Sequence, residues 1–272
     1  MTAGTTPTWD PSQYLRHAEH RARPFADLLA RVPALPHEPA RIADLGCGPG
    51  NVTVQLAGRW PDAHITGYDN SPEMLARTKE YAGATAGGGL LDFAHADLTD
   101  WAPTQTYDLI VSNAALQWVP GHLDAFSGWL DALAPGGVLA FQVPNNLDAP
   151  LHALLRELAG SARWKEHLGG LLRPDDSVHD PLVYLDRLAR LGCAVDVWET
   201  MYMQQLTGED PVLDWAKGTA LRPVLTALAD EPEARDAFVA EYRELLRDAY
   251  PAEPYGTVLP FRRLFAVART AR

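Results

Sequence analysis

Asp44-Leu45-Gly46-Cys47-Gly48-Pro49-Gly50 is the stretch that decides the fold. It follows a short apolar run, Arg41-Ile42-Ala43, and leads into Asn51-Val52-Thr53-Val54-Gln55-Leu56. The order is strand, glycine-rich turn, helix. Glycine allows the sharp turn and the close approach of backbone to a ligand. Nineteen residues after Gly50 stands Asp69, closing a second strand-like run, His64-Ile65-Thr66-Gly67-Tyr68. An acidic residue at that place accepts hydrogen bonds from ribose hydroxyls in doubly wound nucleotide sites, so the pair points to a nucleoside-containing ligand.

A dinucleotide fingerprint asks for G-x-G-x-x-G, and Asn51 stands where its last glycine belongs. The loop reads acidic-x-G-x-G-x-G and resembles motif I of the class I S-adenosylmethionine (SAM)-dependent methyltransferases. That resemblance implies SAM as the cofactor. SAM carries no phosphate for the helix N-terminus to hold, and its amino acid end brings an ammonium that needs an acidic or carbonyl acceptor. NAD, or a glycine turn that binds nothing, are the competing readings.

With 272 residues the chain suits one domain with elaborations, or one domain plus a cap, and 47% hydrophobic residues are enough for a large core. No apolar run approaches a membrane span. The start, Met1-Thr2-Ala3-Gly4-Thr5-Thr6-Pro7, shows no secretory signal. Of two cysteines, Cys47 lies inside the glycine loop, which argues against a structural disulfide and for a reducing cytoplasm. Lys+Arg total 23 against Asp+Glu 35, a net charge of −12. Such a field repels nucleic acid and anionic membrane. No zinc-spaced Cys/His set is visible. The expected partner is a small molecule, with no nucleic acid, no membrane and no metal, and the expected state is a monomer or small homo-oligomer.

Along the chain, residues 9–35 read as helix, with Pro24 in a first turn. Strands are expected at Ile42–Leu45, His64–Asp69, Leu91–Ala96, Tyr107–Ser112 and Val138–Val143. Helices are expected at Asn51–Gly58, from Ser71-Pro72 onward, and through Leu123, Phe126, Leu130 and Leu133; Pro135-Gly136-Gly137 reads as a turn. After Pro144 come an insertion, a helix at Leu182–Leu191 stopped by Gly192, a strand at Ala194–Met203, a helical stretch over 204–256 and a last strand at Leu264–Arg269. The fold class expected is α/β: a doubly wound, mostly parallel seven-stranded sheet of the class I methyltransferase, Rossmann-like type, with a helical cap. The expected division is 1–39 (N-terminal helical segment covering the site), 40–144 (SAM-binding core), 145–180 (cap insertion), 181–203 (core helix and strand), 204–260 (helical cap) and 261–272 (final core strand).

The superfamily resemblance implies contacts at the strand ends. Asp44 serves the ammonium, directly or through water. Gly46, Gly48 and Gly50 line the methionine part. Asp69 takes the ribose hydroxyls, with Asn70 following it. Met74 packs on adenine, and Asp97 accepts from its exocyclic amine. Asn113 sits beside the methionine end and the reactive methyl. Cys47, Leu98 and Trp118 complete the expected cofactor set. From the residues alone, Asp97 could only cap a turn, and Met74 or Trp118 could be core.

Ser112-Asn113-Ala114-Ala115-Leu116-Gln117-Trp118 has no Asn/Asp-Pro-Pro-aromatic signature, which weighs against amide or nucleobase nitrogen as acceptor. A closer resemblance runs over nearly the whole chain. It rests on Trp9–Leu15, Arg21–Pro24, Leu29–Pro33, Ala43–Asn51, Asn113–Val119, Leu139–Asn146, Gly192–Trp198, Asp214-Trp215, Leu221-Arg222-Pro223 and Pro260–Ala268. In these stretches the chain resembles the trans-aconitate 2-methyltransferase family; residues 83–89 and 160–178 depart from its pattern. The resemblance implies carboxyl O-methylation of a small polycarboxylate. A carboxylate, with a pKa near 4, is already a nucleophile at neutral pH, so no general base is needed. In-line alignment and a dry pocket carry the rate. The remaining carboxylates need bidentate cations, which favours arginine. Candidate substrate-positioning residues are Tyr14, Arg21, His179, Tyr202, Trp215 and Arg222, with Arg23 and the Arg262/Arg263 pair behind them. His179 could instead only cap the helix that starts at Asp180. A hydroxyl acceptor, the alternative, would need a base such as His17 or His179.

Overall fold

Aliphatic runs buried on both faces make the centre of one sheet: Ile42, Ala43 and Leu45 in one strand, Leu109, Ile110 and Val111 in the next, and Val138, Leu139, Ala140 and Phe141 beyond it. The computed structural model describes residues 18–172 and 177–271. Its strands are β1 (Arg41–Leu45), β2 (His64–Asp69), β3 (Gly83–Ala84), β4 (Leu90–His95), β5 (Tyr107–Asn113), β6 (Leu133–Pro144), β7 (Ala194–Leu206), β8 (Ala252–Glu253) and β9 (Gly256–Arg269). The sheet order is β3-β4-β2-β1-β5-β6-β9-β7, with β8 paired to β9. β1, β2, β4, β5 and β6 run parallel, while β9 runs antiparallel to β6. The expected seven strands are the long ones; the two-residue β3 and β8 were not foreseen. The chain winds one way from β1 through β2 to β4, and the other way from β5 to β6. The switch point therefore lies between β1 and β5, where doubly wound sheets bind ligands.

Two compact units divide the described residues. An α/β unit holds 19–144, 177–200 and 263–271; a helical unit holds 145–172 and 201–262. The core of the α/β unit gathers Leu45, Ile110, Phe126, Trp129, Phe141, Tyr184 and Leu264. The helix Pro181–Arg190 ends as read: Gly192 is left-handed at φ 86°, and its N–H donates to Ala189 O at 3.0 Å.

The helical unit has its own core, with Trp215, Phe238, Tyr242, Leu246 and Phe261 buried together. Two tyrosines pin the start of its helix Pro150–Gly160. Tyr242 donates to Leu151 O at 2.6 Å, and Leu151 N donates to the Tyr250 hydroxyl at 3.0 Å, which serves an N–H that the helix itself leaves over. Outside the core, Asp210 forms ion pairs with Arg243 at 3.0 Å and Arg247 at 2.7 Å, and accepts a hydrogen bond from the latter.

Three local expectations are corrected. Pro24 lies inside the helix Ala18–Arg31, not in its first turn, and residues 9–17 of that expectation lie outside the described residues. Burial of Phe25, Leu28 and Leu29 holds the helix together past the proline. The glycine loop is followed by a turn, so the next helix starts at Val54 instead of Asn51. Pro135-Gly136-Gly137 lies within β6 and forms a bulge: Tyr107 pairs with Leu133, but Leu109 pairs with Val138. Gly136, at φ 79°, supplies the left-handed backbone this needs.

Candidate active site

The carboxyl end of β1 runs into the glycine loop, and main-chain bonds fix the loop to the neighbouring strand. Gly46 N and Cys47 N donate to Tyr68 O at 2.8 and 2.9 Å. Gly46 has φ +77°, and a Cβ built on it would lie 2.2 Å from Ala115 Cβ. The loop therefore packs against the turn that follows β5, and only glycine fits. Cys47 is buried, and burial pushes its thiol well above the ordinary thiol range.

Asp69, at the end of β2, joins both sides of this arrangement. Its Oδ2 accepts from Gly48 N at 2.8 Å and its Oδ1 from Ser71 N at 2.9 Å. Burial still raises its pKa against these donors. A carboxylate offers about four acceptor positions, so Asp69 can accept from a ligand's hydroxyls besides these main-chain donors. Ser71 caps the helix Pro72–Leu75, as its sequence suggested, by accepting from Met74 N at 3.3 Å. Met74 and Leu98 are buried. Asp97 is exposed, and its Oδ1 accepts from Thr99 N at 2.9 Å and Thr99 Oγ1 at 2.8 Å. The turn-capping reading of Asp97 thus describes that oxygen, and these bonds, with a further one from Asn70, lower its pKa.

Asp44 is the electrostatic anomaly. It is 3% exposed. Its Oδ2 accepts from Thr53 Oγ1 at 2.7 Å, and its buried Oδ1 has no hydrogen bond. Burial, opposed by Thr53 and aided by the negative Asp69, raises its pKa from 3.8 to about 7. A buried carboxylate with an unmet oxygen is costly and fits a cationic partner. The ammonium of SAM has that charge, so Asp44, Asp69 and the loop match the group the sequence implies.

Across the switch point, β5 ends at Asn113. Its Oδ1 accepts from Gln142 Nε2 at 2.5 Å, and Gln142 Oε1 accepts from Arg263 at 3.0 Å. Ala114 has φ 55°, a strained value for alanine, and its N–H donates to Gln142 O at 2.9 Å. Trp118, half-buried, closes the short turn Leu116–Trp118.

The substrate candidates are less gathered. Tyr14 and His17 lie outside the described residues, as does the side chain of Arg21, whose backbone is in the helix Ala18–Arg31. His179, in the α/β unit, is half-buried; its main-chain N donates to the Tyr184 hydroxyl at 3.3 Å. Asp180, not His179, caps the following helix. In the helical unit Tyr202 is buried, and Trp215 is a core residue against Phe261, with ring centroids 5.4 Å apart. Arg222 is half-buried and opens the helix Arg222–Ala227. The Arg262/Arg263 pair does other work than expected. Arg262 donates to Asn145 O at 2.6 Å and to Asp148 at 2.9 Å, and Arg263 is 3% exposed on Gln142.

Sequence reasoning missed Thr53, Ala114 and Gln142, and named Arg263 without its place on Gln142. Gln142 alone carried a signal, as a glutamine inside the apolar run Val138-Leu139-Ala140-Phe141-Gln142-Val143. His122 was also missed. It is buried, with Nδ1 3.1 Å from Val119 O and Nε2 2.9 Å from the Tyr184 hydroxyl. Val119 O can only accept, so Nδ1 carries the proton and Nε2 accepts from the tyrosine. Burial lowers its pKa, which keeps the ring neutral.

Comparison with known proteins agrees with this geometry. Residues 42–137 match the model of a methyltransferase domain family. The chain is 70% identical over 262 residues to a trans-aconitate 2-methyltransferase of Streptomyces avermitilis, covering 96% of this chain and 97% of that one. It is 67% identical to the Streptomyces coelicolor protein of the same name, covering 97% and 88%. Among solved structures, an S-adenosylmethionine-dependent methyltransferase from Mesorhizobium loti shares the fold, with TM-score 0.50 at 22% identity over 92% of this chain and 99% of that one. The chain belongs to the trans-aconitate 2-methyltransferase family, within the class I SAM-dependent methyltransferases.

Proposed function

We propose that this protein transfers the methyl group of SAM to one carboxylate of a small polycarboxylic acid, trans-aconitate, in line and without a general base. Bound SAM supplies an electrophilic methyl on a sulfonium. The chain's own residues have three tasks. Asp44 meets the ammonium with its unmet Oδ1. Asp69, already fixed by Gly48 N and Ser71 N, accepts from the ribose hydroxyls. Arginines, Arg222 and Arg21 foremost, hold the acceptor's other carboxylates as bidentate forks, with Tyr14, His179, Tyr202 and Trp215 as secondary candidates for positioning the acid. In this reading residues 40–144 bind the cofactor, 181–203 and 261–272 complete that core, and 1–39, 145–180 and 204–260 serve the acid.

The observation that carries the cofactor half is the buried Asp44 carboxylate with one oxygen unmet. The acid rests on the family. Among the described residues no helix is long and apolar enough to cross a membrane. Both cysteines are free thiols, which suits the reducing cytoplasm where we place the enzyme. The test is a methyl-transfer screen with labelled SAM across mono-, di- and tricarboxylic acids. Trans-aconitate should be the best acceptor, with the rate at saturating SAM retained down to about pH 6 because a carboxylate stays ionised there. Equal methylation of a simple fatty acid, or a rate at saturating SAM that titrates away near neutral pH, overturns the assignment.

A further inference from the structure

We propose that Arg263, through Gln142, locks the Asn113 side-chain amide with its nitrogen outward, so that Asn113 presents an N–H donor to a carboxylate at the end of β5. Asn113 and Gln142 are register partners on β5 and β6, and Arg263 pairs with Pro144 while Phe265 pairs with Gln142. Arg263 is thus diagonal to Gln142 and on the same face of the sheet.

Proton inventory fixes the rest. A guanidinium only donates, so the 3.0 Å contact from Arg263 must end on Gln142 Oε1. That leaves Gln142 Nε2 to donate, and its 2.5 Å contact must end on Asn113 Oδ1. Asn113 Nδ2 is then the group left over, on a half-buried residue at the strand end. Two further bonds hold the frame: Ala114 N to Gln142 O at 2.9 Å and Ser112 Oγ to Leu45 O at 2.8 Å. Ala115, two residues on, is the residue that crowds Gly46. An amide orientation that neither asparagine nor glutamine would hold alone is imposed by a cation that is 3% exposed. The inference rests on the SAM and carboxylate reading above. The carboxylate is either that of the cofactor's methionine end or that of the acid acceptor.

Gln142→Glu tests it. The carboxylate introduced there would accept from Arg263 and from Asn113 alike, so Asn113 would turn its nitrogen inward and face the ligand with an oxygen. Affinity for S-adenosylhomocysteine, kcat/KM for the acid and the melting temperature are measured together. A loss of about 10- to 100-fold is expected, in S-adenosylhomocysteine affinity if the cofactor's carboxylate is held, or in kcat/KM alone if the acceptor's is. Asn113→Asp should give the same loss, and Arg263→Lys, which still only donates, should keep most of the activity. In an Asn113→Ala background, Gln142→Glu should cost no more than about twofold, because its effect runs through the missing amide. Unchanged affinity and unchanged kcat/KM in a folded Gln142→Glu protein overturn the inference, and so does full additivity in the Asn113→Ala background. If Gln142→Glu does not fold, Asn113→Asp decides by the same two readings. A wild-type protein that methylates no carboxylic acid overturns the function proposed above. The S-adenosylhomocysteine titration needs no acceptor, and its invariance alone then overturns the locked amide.

Discussion

The glycine loop and the helical unit treat their carboxylates in opposite ways. At the loop one carboxylate is taken out of water and left incompletely met: Asp44 keeps an oxygen without a donor, while the half-buried Asp69 accepts from Gly48 N and Ser71 N and still has a raised pKa. In the helical unit the large side chains form an apolar core, and the acid Asp210 is paired with two arginines away from it. Burial of charge that the chain does not itself repay marks a place built for a ligand. Burial of apolar surface marks a place built for stability.

The sharpest way to break this comparison is a pair of substitutions. Gly46→Ala puts a Cβ into Ala115 at a backbone angle of +77°. Strain of about 1–3 kcal/mol plus the clash should cost more than about 100-fold in SAM affinity. Phe238→Ala in the other core should cost about 3–5 kcal/mol of stability by cavity formation. Its SAM affinity, read below the melting temperature, should stay near wild type. Calorimetry and thermal melts on both variants decide; a Gly46→Ala protein that binds normally would show that the loop does not approach the ligand.

Arg222 sharpens the comparison from the helical side. Lysine cannot reproduce a bidentate fork, so Arg222→Lys should lose about 2–3 kcal/mol, or roughly 30- to 150-fold, in kcat/KM on trans-aconitate. Cofactor affinity should not move. Full activity of Arg222→Lys would reassign the helical unit to an apolar substrate. Asp69→Ala tests the other side, with an expected drop of about 10- to 100-fold in SAM affinity. The melting temperature should fall too, since Gly48 N and Ser71 N lose their acceptor. Unchanged binding would remove the ribose from Asp69.

These residues also show what a sequence can say. The β1 loop, the spacing to Asp69 and the Ser71 cap were legible because each is local: a turn, a strand end or a first helical turn has residue requirements within a few positions. The α/β class and the mostly parallel sheet were legible through alternation of strands and helices. The Thr53–Asp44 bond, the Arg263–Gln142–Asn113 chain and the seat of Trp215 in a core were not, because each depends on which distant segments meet. Thr53 and Gln142 look like ordinary polar residues until the fold puts them beside a carboxylate and a guanidinium. The β6 bulge escaped for a related reason: Pro135-Gly136-Gly137 has turn chemistry, and only pairing with β5 makes it part of a strand.

The smallest effect is the most specific, because it isolates Asp44. In the ligand-free protein its pKa stands at about 7, raised from 3.8 by burial. The folded protein therefore holds this proton more tightly than the unfolded chain. Relative to Asp44→Asn, its contribution to ligand-free stability should be highest below about pH 4 and should decline as pH rises to about 7. Binding reverses the preference, since an ammonium partner stabilises the carboxylate. Below about pH 7 binding must release up to one proton, so SAM affinity should fall by about tenfold for each pH unit lost. Above about pH 8 the ligand's amino group deprotonates, and affinity should fall again. Titrations in buffers of different ionisation enthalpy count the protons released. In Asp44→Asn the acid limb should flatten while the alkaline limb persists. A wild-type protein whose affinity is level between about pH 5.5 and about pH 7 would mean that Asp44 does not face the cation. Its unmet oxygen would then belong with the neutral polar groups of the core, and the contrast with the helical unit would lose its strongest member.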